Sequence, residues 1–146
     1  MRSLILFVLF LGVVSCQKNE GSPQTTSATK SIPEDFMQFY RSFHADSLYQ
    51  VGHINFPLEG LPSYAKEEDL KDGKFYWEKS NWKFQRSIDF EFSDFERILM
   101  PINEFIIEET ILHKKDKLAI QRKYVKFGED WNLIYYSGLN PYTLND

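Results

Sequence analysis

Cysteine occurs once in the 146 residues, at Cys16, so no disulfide can form within the chain and the core must hold the fold unaided. Basic residues are in the minority, 17 Lys and Arg against 21 Asp and Glu for a net charge of −4. That balance argues against diffuse counterion-release binding to nucleic acid. The chain also lacks G-x-S-x-G, G-x-G-x-x-G, a Walker A run and H-E-x-x-H, which removes the usual nucleophile elbow, dinucleotide, nucleotide and zinc-protease readings. Its three histidines, His44, His53 and His113, show no local metal-ligand spacing, and no motif calls for a cofactor. No period of 20 to 50 residues repeats.

What the chain does have is aromatic mass. Thirteen Phe, eight Tyr and three Trp bring the aromatic share to 16 % and the hydrophobic share to 42 %, a composition that can pack a core. The length fits one domain, which at this size buries roughly two-thirds of its unfolded surface.

At the N-terminus, Met1-Arg2-Ser3 supplies one positive charge, and Leu4 to Val14 (LILFVLFLGVV) is an apolar run of 11 residues. The run is shorter than the ~20 residues of a spanning helix, so it reads as a signal peptide over 1–15. A lone cysteine immediately after such a leader needs a reason. Val13-Val14-Ser15-Cys16 resembles the bacterial lipobox. That resemblance implies diacylglycerol transfer to the Cys16 thiol, cleavage before Cys16 and acylation of the new amine. A thiolate suits the task because it is a strong nucleophile that alkylates to a stable thioether. More than one acyl chain makes anchoring durable, each buried methylene contributing about 0.8 kcal/mol. Cleavage would leave 16 basic against 21 acidic residues, a net of −5.

Gln17 to Lys30 (QKNEGSPQTTSATK) has no aliphatic residue larger than Ala28 and cannot bury enough to offset its ordering entropy. It is expected to be a flexible tether of 14 residues, with an end-to-end distance of about 20 Å. Gln17-Lys18-Asn19-Glu20 resembles the lysine-plus-acid signal of surface-exposed Bacteroidetes lipoproteins, with Asn19 departing from the usual pair of acids. Cell surface and periplasmic face both stay open.

From residue 31 the pattern predicts a single α+β domain, 31–146. Ser31-Ile32-Pro33-Glu34 has the form of a capping box, and Phe36, Phe39, Tyr40 and Phe43 make one apolar helical stripe. Asp46-Ser47 opens a second, short helix through Gln50. His53 to Leu58 reads as a strand whose end Pro57 places at an edge or turn. Gly60 to Gly73 reads as a loop with one helical turn at Lys66 to Leu70. Ser87 to Phe95 (SIDFEFSDF) reads as a half-buried strand with Ile88, Phe90 and Phe92 on one side. Glu109 to His113 and Lys117 to Phe127 are strands around a turn at Lys114-Lys115-Asp116. A hairpin at Gly128 then returns with Trp131, Leu133 and Tyr135 on one face. Helices first and strands after give N-terminal helices packed on a curved antiparallel sheet.

Phe39-Tyr40 with Phe43, Asp46-Ser47-Leu48-Tyr49-Gln50 and Ile54-Asn55-Phe56-Pro57-Leu58-Glu59-Gly60 together resemble a Bacteroidetes lipoprotein group, domain-of-unknown-function family 4348. The hairpin with Gly128 and Trp131-Asn132-Leu133 is similar to the closing strands of the nuclear-transport-factor-2-like superfamily. The resemblance implies a cone, a bent sheet wrapped around N-terminal helices. Such cones serve as ligand pockets, as isomerase or dehydratase sites, or as dimerisation modules, so no activity comes with it.

Three sets of residues are candidates for chemistry. Asp89 and Glu91 would share a strand face about 7 Å apart, the spacing of a paired acid and base, or else stand on a solvated outer face. His44 near Asp46 could be a base with its orienter, or a surface histidine at a helix end. Tyr76, Trp77 and Trp82 offer flat rings with polar handles for sugars or planar ligands, or else pack the core. The positive charges at His113 to Lys117 and Arg122 to Lys126 read as a solvated β-face.

The sequence therefore reads as an extracytoplasmic lipoprotein held at the bacterial outer membrane through acylated Cys16, carrying a non-catalytic binding or accessory module. Its partner would be a small molecule, a glycan or another lipoprotein, with no role for nucleic acid. A cone-pocket enzyme using Asp89 or Glu91, and a homodimer formed through open sheet faces, are the alternatives.

Overall fold

The computed structural model describes residues 31–142. The leader, Cys16 and the tether lie outside the described residues, so those expectations are not addressed by it. No helix among the described residues is long and apolar enough to cross a membrane.

Helix α1 (Glu34–Ala45) is the element the apolar stripe predicts, with Phe36, Phe39, Tyr40 and Phe43 all buried. The capping box is not formed. Pro33 holds extended backbone at the N-cap position, so the helix starts two residues too late for Ser31 to cap it. Asp46 does cap α2 (Ser47–Gly52), its Oδ1 accepting from Leu48 N at 2.7 Å and Tyr49 N at 2.9 Å.

Six strands form one sheet: β1 (Ile54–Leu61), β2 (Phe75–Trp77), β3 (Phe95–Asn103), β4 (Ile106–His113), β5 (Leu118–Phe127) and β6 (Asp130–Pro141), in the order β2-β1-β6-β5-β4-β3. From β6 to β3 the neighbours are antiparallel meander strands. The sheet is not wholly antiparallel, however, because β1 runs parallel to β6, with Gly60 opposite Tyr136. The two are joined through the whole intervening chain, so no hairpin forces them to oppose. Pro57 lies inside β1, an interior strand, and not at its end. The β1–β6 register breaks between Ile54 and Glu59, so its missing N–H leaves no gap in the ladder. At Gly60 a Cβ would stand 1.8 Å from the Tyr136 carbonyl oxygen, which explains why this crossing takes glycine.

α1 lies on one face of the sheet. Its stripe meets Ile54, Leu58, Ile107, Tyr124, Trp131, Leu133 and Tyr136 in one cluster. Tyr124 sits edge-on to Phe36, Phe39 and Phe43 at 5.3, 5.8 and 5.9 Å. Each buried ring contributes about 2–3 kcal/mol, which makes this layer the main source of stability.

Two expectations about strands are corrected. Residues 87–92 form no strand: Asp89 Oδ1 accepts from Glu91 N and Phe92 N, folding the chain into a turn that leaves Phe92 exposed. The strand starts later, as β3, where Phe95, Arg97 and Leu99 alternate with the more exposed Glu96, Ile98 and Met100. In β6 the register shifts opposite Lys123 and Tyr124, so the inward set is Trp131, Leu133 and Tyr136 in place of Tyr135.

Candidate functional site

The inward positions of the meander carry two charges. Glu109 on β4 falls between inward Ile107 and Ile111, and Arg122 lies directly across from it on β5. Arg122 Nη1 donates to Glu109 Oε2 at 2.9 Å. Tyr40 from α1 donates its hydroxyl to Glu109 Oε1, and Tyr124 donates to Oε2 at 3.3 Å. A buried carboxylate is tolerable only with this density of donors. Burial, then Glu109, pushes the Tyr40 hydroxyl up to about 12, and the same causes raise Tyr124 well above its ordinary value. Burial alone would lower Arg122; Tyr124, Glu109 and Tyr40 outweigh it and the guanidinium is held charged. Arg122 is therefore not part of the solvated basic face that its neighbours in sequence predict: it is 3 % exposed.

His44 stands beside this pair, its ring 4.4 Å from that of Tyr40. It is not a surface residue, being 5 % exposed, and it does not pair with Asp46, whose carboxylate caps α2. Its Nδ1–H donates to the Gln85 carbonyl at 2.8 Å, which leaves Nε2 an acceptor. Burial, then the Arg122 charge, lowers its pKa to about 4. His44 Nε2 and Arg122 Nε are the two buried side-chain atoms without a partner among the described residues.

The irregular segment 78–94 passes over these groups, and Gln85 fastens it. The Gln85 carbonyl accepts from His44 and from Gln50 Nε2, its N–H donates to Gln50 Oε1, and its Oε1 accepts from Tyr136. Farther along, Phe90 completes a stack. The Arg97 guanidinium lies 5.1 Å from the ring of Tyr40 and 5.1 Å from that of Phe90. Arg97 opens onto a pocket of about 400 Å³ lined with Phe90, Phe95, Glu96 and Lys114. Neither Arg97 nor Lys114 forms an ion pair among the described residues. Lys114 donates instead to the Ser93 carbonyl. A route of contacts thus runs from an open, cationic pocket through Arg97 and Tyr40 to the buried Glu109–Arg122 pair.

The residues singled out from sequence lie elsewhere. Asp89 and Glu91 are exposed in the turn, not on a strand face, so the shielded carboxylate pair that acid/base chemistry requires is not assembled. Trp77 and Trp82 pack against the core cluster, and both indole N–H groups are engaged, with Tyr136 O and Gln50 Oε1 at 3.0 Å each. Tyr76 points outward from β2. No group of three or more His, Cys, Asp or Glu able to hold a metal occurs among the described residues. Glu109 had a legible signal, an acid at an inward position between two isoleucines. Arg97, Gln85 and Gln50 had none, because each acquires its role from a contact distant in sequence.

No family model matches the chain, and no curated protein matches it. Among solved structures, the chain is similar to the crystal structure of a nuclear-transport-factor-2-like protein from Bacteroides fragilis, at 14 % identity and a TM-score of 0.47. The match covers 74 % of this chain and 48 % of that one, so the chain spans about half the length of that neighbour.

Proposed function

We propose that the protein is a lipoprotein anchored at the bacterial outer membrane through acylated Cys16, and that its cone-like domain is a non-catalytic module binding an anionic group in the Arg97 pocket. One observation carries the binding site: the Arg97 guanidinium lies over the rings of Tyr40 and Phe90 with no carboxylate at ion-pair distance among the described residues, beside Lys114, whose ammonium donates to the Ser93 carbonyl. Its guanidinium is pre-organised, and a carboxylate or sulfate could take its free donors as a fork. Phe90 and Phe95 supply apolar walls for the rest of a small ligand. Acidic glycans, bile salts and fatty acids share that chemistry.

The test is a thermal-shift titration with glucuronate, glycocholate and laurate. A ligand at 100 times its dissociation constant adds about 2.7 kcal/mol, which raises the midpoint of a domain this size by about 5–10 °C. The expected result is a shift for at least one of these in the native protein and none in a folded Arg97→Ala variant. Flat curves, or shifts that survive the substitution, overturn the binding reading.

A second reading has one observation in its favour. Ile98 and Met100 stand exposed side by side on the outer face of β3. A homodimer covering them would show a mass that rises with concentration in light scattering, and Met100→Lys would abolish the rise.

A further inference from the structure

Two turns meet at one end of the domain. Lys126 N, at the end of β5, donates to the carbonyl of Phe105 in the β3–β4 turn at 2.8 Å. The first turn of α1 is fixed to the same end, since Asp35 Oδ2 accepts from Trp131 Nε1 at 3.1 Å and pairs with Lys126 Nζ at 2.8 Å. Ser31 and Pro33 share a groove there with Pro101, Asn103 and Glu104. Both turns are internally braced. Asn103 Oδ1 accepts from Phe105 N at 2.8 Å, and Gly128 takes φ +61° in the hairpin. Each turn nevertheless presents a phenylalanine to solvent, Phe105 at 50 % and Phe127 at 54 % exposure. Half of each ring is therefore open to solvent, and the Lys126–Phe105 hydrogen bond sets the two phenylalanines on neighbouring turns of the same end.

We infer that this end docks on the lipid bilayer, with Phe105 and Phe127 entering the headgroup region. The inference rests on the anchored-lipoprotein reading above. Ser31 is where the chain from Cys16 enters the domain, with 14 residues between them. A coil of that length and composition spans about 20 Å. The domain is about 35 Å across, so a span of this mean length biases the end carrying Ser31 toward the membrane. Anchoring holds the turns at an effective concentration of order millimolar, so insertion too weak to recruit a free protein is populated. The rim acids Glu104, Glu129 and Asp130 are exposed. They favour a zwitterionic ethanolamine surface and are repelled by an anionic one.

An acylated Cys16 carries no free thiol, which allows one labelled cysteine to be placed elsewhere. Full-length protein with Glu129→Cys, bearing an environment-sensitive dye, is reconstituted in phosphatidylethanolamine/phosphatidylcholine vesicles containing headgroup-level nitroxide lipid, with Lys117→Cys in the β4–β5 turn at the opposite end of the strands as the control. The mass of Cys16 peptides is read from the same sample. Quenching at residue 129 is expected to exceed that at 117 by about threefold or more, and Phe105→Ser/Phe127→Ser in the same background should bring the two level. Acylated protein with equal quenching at both sites, or quenching indifferent to the phenylalanines, overturns the docking and leaves the anchor intact. Protection of residue 129 that persists in detergent and grows with protein concentration assigns the end to self-association and also overturns it. A Cys16 without acyl chains removes the anchor and this inference with it.

Discussion

Between pH 6.5 and 4, acidification should destabilise the domain chiefly through His44. Its pKa is about 4 in the folded protein against 6.5 for an unperturbed histidine, chiefly from burial and secondly from Arg122. Between these values the unfolded chain takes up a proton that the folded domain refuses, so stability rises with pH across this window. The contribution is fully present above pH 6.5 and is lost as the pH falls from 6.5 to 4. The gap, at about 1.4 kcal/mol per pH unit, is worth about 3 kcal/mol. With an m-value of about 1.5 kcal/mol per molar for urea, the midpoint should fall by roughly 2 M between pH 7 and pH 4. The matched variant is His44→Asn, whose amide N–H can replace Nδ1–H toward the Gln85 carbonyl but does not titrate. It should be less stable than the native protein at pH 7 by about 1–2 kcal/mol, from lost ring packing, and nearly flat across the window. A native domain losing under about 1 kcal/mol over this range, or a His44→Asn variant with the native slope, would refute the assignment of His44 as a buried neutral imidazole.

Three further outcomes follow from the packing. Arg122→Met strands Glu109 in the core and should cost about 3–5 kcal/mol in urea unfolding, whereas adding Glu109→Leu should return part of that loss; a double variant no better than the single would contradict the buried-pair account. Gly60→Ala drives a methyl into the Tyr136 carbonyl and should cost more than about 3 kcal/mol, while Gly52→Ala in α2, with open space around its Cβ, should be neutral or stabilise by up to about 1 kcal/mol. Asp46→Ala should cost about 1 kcal/mol and speed amide exchange at Leu48 and Tyr49, the two donors it caps.

Local order was read from local pattern. The spacing of Phe36, Phe39, Tyr40 and Phe43 requires a helix because only a 3.6-residue period puts them on one side, and their burial in α1 follows. Asp46 announces α2, and the turns at Lys114 to Asp116 and at Gly128 mark the strand ends in the right places. Alternation misled where a local hydrogen bond won: Ile88, Phe90 and Phe92 have strand spacing, but the Asp89 carboxylate captures two backbone N–H groups and curls the segment. It misled again in β6, where one extra residue in the ladder exchanges Tyr135 for Tyr136 on the inner side.

The amino-acid order by itself determined the helices, most strand positions and the aromatic core, because each of these depends on neighbours within a few residues. Tertiary structure alone decided the parallel pairing of β1 with β6, the pairing of Glu109 with Arg122 under Tyr40, the burial of His44 and the stacking of Arg97 between Tyr40 and Phe90. A charge is costly or useful according to what surrounds it, and those surroundings come from strands and helices brought together from distant parts of the chain.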